Sequence, residues 1–307
     1  MEATLSDLFR TIESELGTHE FCLLVLKALK KSLMQYKFSN HKVLLEQFHD
    51  LFDVVRKTKP RYAIVNDSLY KVMEVLEKDT HVSIKDLTLH IDAIHKLYVS
   101  EMQSLINVGQ SIDVDGKNVL IYDHSHSVQN ILRTFKEQGR SFRVLVAEQD
   151  LEKTEDNILF LHQLGVPYKV VPSYMLSHVD ETVDLLFFGA VTLQKNGNFV
   201  MDPGSKSIIS HFYLEKKPVY VFLTTSKFSL WQPKAKEPQI YTKSHKRCHH
   251  TLTEIEFERL KFSHDRVPSN LISHVVTEGG IRTSAQIVKI FETRLVKRRR
   301  QHRQYFS

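Results

Sequence analysis

The sequence predicts an α/β fold. A helical N-terminal domain spans residues 1–110, and a doubly wound, mostly parallel sheet domain spans 111–307 and ends in a basic tail. Three observations carry this. Up to Gly109, apolar residues recur three and four apart, the period of a helix with one buried face. Beyond Gly109, short β-branched and apolar runs alternate with helical stretches, the rhythm of strands joined by crossover helices. Glycine (10) and proline (8) are too sparse for a loop-rich or all-β design.

The first helical run is Phe21, Leu24, Val25, Ala28, Leu29 and Leu33. The second runs from Val43 to Val55, with Ser39-Asn40 placed to cap it. The third covers Ala63 to Leu76, with Pro60 where a helix can begin. The fourth starts after the capping residue Ser83 and extends from Leu87 to Ile106. The strands then follow as Val119–Tyr122, Phe142–Val146, Tyr168–Val171, Val183–Phe188 and Pro218–Phe222. Helical stretches at Ser127–Gln138, Lys153–Leu164, Ser173–Val179 and Ser205–Leu214 separate them. Strands that are apolar throughout are buried on both faces, so this half reads as a Rossmann-like parallel sheet covered by helices.

Charge and cysteine content narrow the classes. The net charge is +6, but the tail Lys297-Arg298-Arg299-Arg300-Gln301-His302-Arg303 holds five basic residues and no acid, so the rest is nearly neutral. That tail reads as the solvated end of the last helix, in preference to a nucleic-acid contact. Two cysteines, Cys22 and Cys248, make no disulfide framework, and a reducing, cytoplasmic setting is expected. Neither a secretory leader nor a membrane-spanning run is apparent.

In such sheets ligands bind beyond the carboxyl ends of the strands. The rule selects Asp123-His124-Ser125-His126-Ser127, Glu148-Gln149-Asp150, Gly189-Ala190-Val191-Thr192 and Thr224-Thr225-Ser226-Lys227. The first follows a strand and opens a helix, where free backbone amides favour an anion; it reads either as a helix cap alone or as a phosphate pocket. No glycine-rich dinucleotide or P-loop signature occurs, and no Gly-x-Ser-x-Gly elbow. His245, Cys248, His249 and His250 lack a second cysteine pair at ligand spacing, so they read as a polar loop. No metal or cofactor is expected.

The order of these strand ends resembles the initiation factor 2B alpha/beta/delta family, which includes ribose-1,5-bisphosphate isomerase and methylthioribose-1-phosphate isomerase. Lys59-Pro60-Arg61-Tyr62 to Asn66 resembles the family's "RPT…N" helix start. Ile121 to Ser127 stands where the isomerases carry "THC" and the alpha subunit "THAYS". Phe142 to Glu148 resembles "VYVTES", Val183-Asp184 to Asn196-Gly197 resembles "VD…GADRI…NG", and Gly204-Ser205 resembles the end of "NKIGT". Pro218 to Phe228 resembles "PFYV…SKF"; Val267 to Ile272 and Gly280 to Ala285 resemble "TPPELI" and "GLLTPSAV".

The resemblance implies a sugar-phosphate pocket made by Asp123, His124, Ser125, Ser127, Gly189, Asn196, Gly204, Ser205 and Lys227. It also implies that the isomerases' catalytic cysteine and aspartate are replaced here by Ser125 and Val191. Serine has no thiolate accessible near neutral pH, and valine cannot move a proton. Asp123, Asp150 and Asp202 are expected to make the rim acidic and unfavourable to a doubly charged phosphate. The expectation is therefore a non-catalytic regulatory or scaffold protein of the initiation factor 2B type. It would be a homodimer or hetero-oligomer through the sheet domain, with other 2B subunits and initiation factor 2 as partners. Val219–Phe222 and Leu271–Val276 are the apolar runs expected to face a second copy. The alternative is a sugar-phosphate isomerase-like enzyme or sugar-phosphate-binding protein, motivated by His124, His126, Asp184 and Lys227.

Overall fold

A computed structural model describes residues 2–35, 40–58, 61–230, 240–248 and 254–301. Ser39 and Pro60 lie outside them, as do His249, His250 and the tail beyond Gln301. Four helices come first: α1 (Glu2–Gln35), α2 (His41–Lys57), α3 (Ala63–Lys78) and α4 (Ile84–Gly109). Their starts follow local chemistry. The Asn40 side chain accepts from the Val43 amide at 3.0 Å, and Ser83 Oγ accepts from the Asp86 amide at 3.1 Å, each satisfying an amide that the first turn leaves open. α1 is not straight: Gly17 breaks it with φ +73° and ψ 157°, a combination essentially confined to glycine.

The sheet half contains β1 (Asn118–Ile121), α5 (His126–Glu137), β2 (Arg143–Ala147), α6 (Leu151–Leu164), β3 (Tyr168–Val171) and β4 (Leu185–Gly189). β5 (Thr192–Leu193), β6 (Asn198–Met201), α7 (Ser205–Leu214) and β7 (Val219–Phe222) follow. The chain continues through β8 (Ile240–Cys248), β9 (Glu254–Phe262), β10 (Asp265–Pro268), β11 (His274–Thr277), β12 (Gly280–Arg282) and α8 (Ser284–Gln301). The main sheet has the order β12-β11-β7-β4-β1-β2-β3. Every neighbouring pair is parallel except β11–β12. The order reverses direction between β1 and β4, which opens a crevice at their carboxyl ends.

Alternation along the strands divides the sheet into two faces. Leu120, Tyr122, Leu186, Phe188, Val219 and Val221 join one apolar cluster with α1–α3, α7 and α8. Val119, Ile121, Leu185, Phe187 and Phe222 join another with α5 and the end of α4. The first cluster runs unbroken from Phe21 to Leu295, so the helical half and the sheet share one core. Each fully buried side chain of this size contributes about 1.5–3 kcal/mol.

Several expectations need correction. Ser173–Val179 forms 3-10 turns and no crossover helix. The chain also adds strands beyond those expected from the sequence: β5, β6 and β10 form a small antiparallel sheet, and β8 and β9, beyond β7, form a two-stranded ribbon. His245 and Cys248 therefore sit on a strand, where a loop was expected. Val219–Phe222 and Leu271–Val276 leave little apolar surface free for a second copy. They supply β7 and β11, whose Val219, Val221, Phe222, Val275 and Val276 are fully buried. The first part of the basic tail is the last turn of α8, and Arg298 turns inward to pair with Asp67 of α3.

Candidate functional site at the carboxyl end of the sheet

The crevice between β1 and β4 holds a cavity of about 270 Å³. β1 runs directly into Asp123, which is buried. Its Oδ2 accepts from the Gly189 amide at 2.7 Å, while Oδ1 has no hydrogen-bond partner. Burial, reinforced by Asp202, pushes the Asp123 carboxyl up to about 8, so at neutral pH it is mainly a protonated donor. Ser125 begins α5, and its hydroxyl accepts from the Val128 amide at 3.4 Å. Gly189 allows this approach, because a Cβ there would collide with Ser125 Oγ.

His124 and His126 meet edge to face at 5.2 Å, and burial holds both below the ordinary imidazole value. Their rings are neutral at pH 7, and His126 Nδ1 is buried without a partner. From the turn after β7, Lys227 enters with only 6% exposure, and its Nζ donates to the Ala190 carbonyl at 3.1 Å. Burial lowers the Lys227 ammonium to about 8, with Glu13 and Asp123 opposing the shift. Asp202 also lines the cavity, but Lys153 Nζ (2.5 Å) and Gln149 Nε2 (3.1 Å) already occupy it.

Asp123, His124, Ser125, Ser127, Gly189 and Lys227 thus come together around the cavity, and Asn196, Gly204 and Ser205 are not among its lining residues. Asn196 stays exposed in the turn before β6, where its side chain accepts from the Asn198 amide at 3.2 Å. Gly204 packs against the Tyr122 hydroxyl and donates to Asp265 Oδ2 at 3.0 Å; buried Ser205 opens α7 beside it. Both are held by the small antiparallel sheet, away from the crevice. The acidic rim is corrected too. Asp150 caps α6 outside the cavity, Asp202 is spent on Lys153, and burial raises Asp123 out of the ionised state near pH 7. Val191 does line the cavity and brings no ionisable group.

Sequence reasoning missed the wall supplied by α1. Glu13, Thr18, His19 and Glu20 line the cavity because α1 bends at Gly17, where a Cβ would stand 2.6 Å from His126 Nδ1. Glu13 accepts from Thr18 Oγ1 at 2.8 Å, and burial raises its carboxyl above the usual range. The available signal was a lone glycine within a helical pattern. Among the described residues no group of three or more His, Cys, Asp or Glu is arranged to hold a metal ion. No helix among them is long and apolar enough to cross a membrane.

A helical half packed on a doubly wound, mostly parallel sheet defines a Rossmann-like α/β class. The family comparison is more specific. The model of the Initiation factor 2 subunit family matches residues 14–284, and the chain belongs to that family. It is 28% identical over 120 residues to translation initiation factor eIF2B subunit alpha of Dictyostelium discoideum, covering 39% of this chain and 37% of that protein. It is 26% identical over 129 residues to the delta subunit of the same organism, covering 41% of this chain and 20% of that subunit. A putative eIF-2B subunit 2-like protein of Pyrococcus abyssi is 21% identical over 239 residues, 75% of this chain and 82% of that one. The matches to the two Dictyostelium subunits therefore span well under half of each. Among solved structures, the Pyrococcus horikoshii translation initiation factor eIF-2B superposes with TM-score 0.69 at 16% identity, over 94% of this chain and 98% of that one. A chain of the tetrameric eIF2B-beta2-delta2 complex from Chaetomium thermophilum gives 0.70 at 16% identity, over 95% of each. These likenesses establish the fold.

Proposed function

We propose that this chain is a non-catalytic regulatory or scaffold subunit of the initiation factor 2B type, acting in the cytoplasm. The carrying observation is the pair Ser125 and Val191 at the positions where the isomerase resemblance implies cysteine and aspartate. Neither side chain can shuttle a proton between adjacent sugar carbons near neutral pH. The helical domain (1–110) presents a surface to initiation factor 2, and the sheet domain (111–307) assembles with a second copy or with other 2B subunits. Exposed apolar side chains support assembly through the sheet half. Tyr174 (80% exposed) and Met175 lie on the 3-10 turns after β3, and Tyr213 and Leu214 (75%) lie on α7. His211 Nε2 and Asp180 Oδ1, 2.6 Å apart, tie α7 to those turns. Native mass measurement, alone and after mixing with 2B subunits, tests the reading. Complexes of two or more chains that dissociate in a Leu214→Glu, Tyr174→Glu variant are expected. A single chain of 35.8 kDa under every mixture contradicts assembly.

A second reading, retained sugar-phosphate binding, is favoured by one observation: the unpartnered Asp123 Oδ1 and His126 Nδ1 beside Lys227 and the first turn of α5. A thermal-shift panel of pentose and hexose phosphates tests it. Stabilisation that Lys227→Met abolishes supports binding, and a flat panel removes it.

A further inference from the structure

A second polar cavity, of about 210 Å³, lies at the junction of α3, α4, α8 and the turn after β7, on the other side of Lys227. Most of its charge is already matched. Asp67 accepts from Tyr98 Oη at 2.9 Å, pairs with Lys71 at 2.8 Å and pairs with Arg298, whose guanidinium also lies 4.3 Å from the Tyr70 ring centre. Glu278, at the end of β11, accepts from the Thr225 amide at 2.9 Å and from its hydroxyl. Three groups remain. Lys297 has no ion pair recorded among the described residues. Arg294 makes only a 3.9 Å contact to Glu278 and a 5.8 Å approach to the Phe228 ring. Glu101 keeps one carboxyl oxygen, Oε2, buried with no partner.

We infer that this cavity is a binding site for a small tetrahedral oxyanion, phosphate or a small phosphomonoester, held by Arg294 and Lys297 of α8 and by Glu101 of α4. Lys297 and the loosely paired Arg294 supply the charge, and a guanidinium offers the planar donor pair that phosphate accepts best. An ionised Glu101 would repel the anion, whereas a protonated one donates a hydrogen bond to it from its otherwise unpartnered Oε2 hydroxyl. Its surroundings favour the proton. Burial, then the facing Glu278, raise the Glu101 carboxyl to about 7, against the hydrogen bond from Ser226 and the charge of Lys71, with Asp67 adding to the rise. From α8, Arg294, Lys297 and Arg298 also face it. Binding therefore takes up a proton, and affinity falls as pH rises from 6 to 8. Ser226 and Lys227 are adjacent, so an anion held here sits one residue behind the wall of the crevice at the sheet edge.

Calorimetric titration of the full-length protein with inorganic phosphate at pH 6, 7 and 8 tests this. The expected result is measurable binding, weaker at pH 8 by about tenfold. Lys297→Ala, an exposed position that leaves the fold intact, should weaken binding at least fivefold, and Arg294→Ala further. Glu101→Gln should keep binding and flatten its pH dependence, because the amide donates at every pH. Arg300→Ala, an exposed position outside the lining of this cavity, should leave phosphate affinity within twofold. The inference is overturned if phosphate does not bind at pH 6. It is equally overturned if Lys227→Met abolishes binding while Lys297→Ala and Glu101→Gln leave it unchanged, since phosphate would then occupy the crevice alone.

Discussion

The crevice at the sheet edge and the α3–α8 junction both bury charge, and they treat it in opposite ways. At the junction Asp67 receives Lys71, Tyr98 and Arg298. Burial pushes its carboxyl up, yet the two cations hold it below the usual carboxylate range. In the crevice Asp123 receives one amide, and burial with Asp202 drives it up to about 8. Matched charge at the junction holds two halves of the chain together across 231 residues of sequence. The crevice instead buries Asp123 and Lys227 with no ion pair among the described residues to match them, and each is pushed toward its neutral form.

The comparison breaks most visibly on substitution. Arg298→Ala removes the α8 partner of buried Asp67, which keeps Lys71 and Tyr98, and should cost about 1–3 kcal/mol in urea unfolding. Lys227→Met removes a buried ammonium that lacks a carboxylate partner, and at pH 7 it should be neutral or stabilising. If Lys227→Met proves the more damaging of the two, the contrast is wrong. Gly17→Ala comes next. Its backbone region is essentially closed to other residues, so the change should cost about 1–3 kcal/mol and also displace Glu13 from the cavity. Gly139→Ala serves as the control. It has φ +74° with nothing nearby, and should cost less.

Titration sharpens the contrast further. Asp123 has a folded value of about 8 and a reference value of 3.8, so the folded state keeps a proton that the unfolded chain has released. Its contribution is fully present below pH 3.8 and is lost as pH rises through 8. Across that window stability should fall by about 1.4 kcal/mol per pH unit for each such proton. Asp123→Asn should remove one proton's worth of slope, read from unfolding curves at pH 5, 6 and 7; an unchanged slope places the titration elsewhere. Asp67 has the opposite sign. Its lowered value contributes stability that is lost only as pH falls below the ordinary carboxylate range. The smallest effect belongs to Arg300→Ala: at an exposed position two residues from Arg298, it should change stability by no more than about 0.5 kcal/mol.

What was legible follows from burial. Four of the five apolar runs supply largely buried strands and Tyr168–Val171 a partly exposed edge strand, so their positions and parallel pairing could be read from the sequence, and the switch-point rule then placed Asp123, Ser125, Gly189 and Lys227. The β8–β9 ribbon was not legible because its strands interleave polar and apolar residues without a continuous apolar run, and they pair with each other. Glu13 and His19 were not legible because a tertiary bend at Gly17 brings them to the crevice. The partner of Arg298 was hidden for the same reason: a run of basic residues does not reveal which one turns inward. Asn196 and Gly204 matched family motifs, yet the small antiparallel sheet draws them away from the crevice.

The central proposal is that the family fold persists here without isomerase chemistry, because Ser125 and Val191 stand where the resemblance to the isomerases implies a thiol and a carboxylate. Incubating the purified protein with ribose-1,5-bisphosphate or methylthioribose-1-phosphate, and following the ketose product by NMR, tests it most directly. The account predicts no product above the uncatalysed background for the natural chain or for Ser125→Cys. Turnover by the natural chain that Ser125→Ala or His126→Ala abolishes would contradict it.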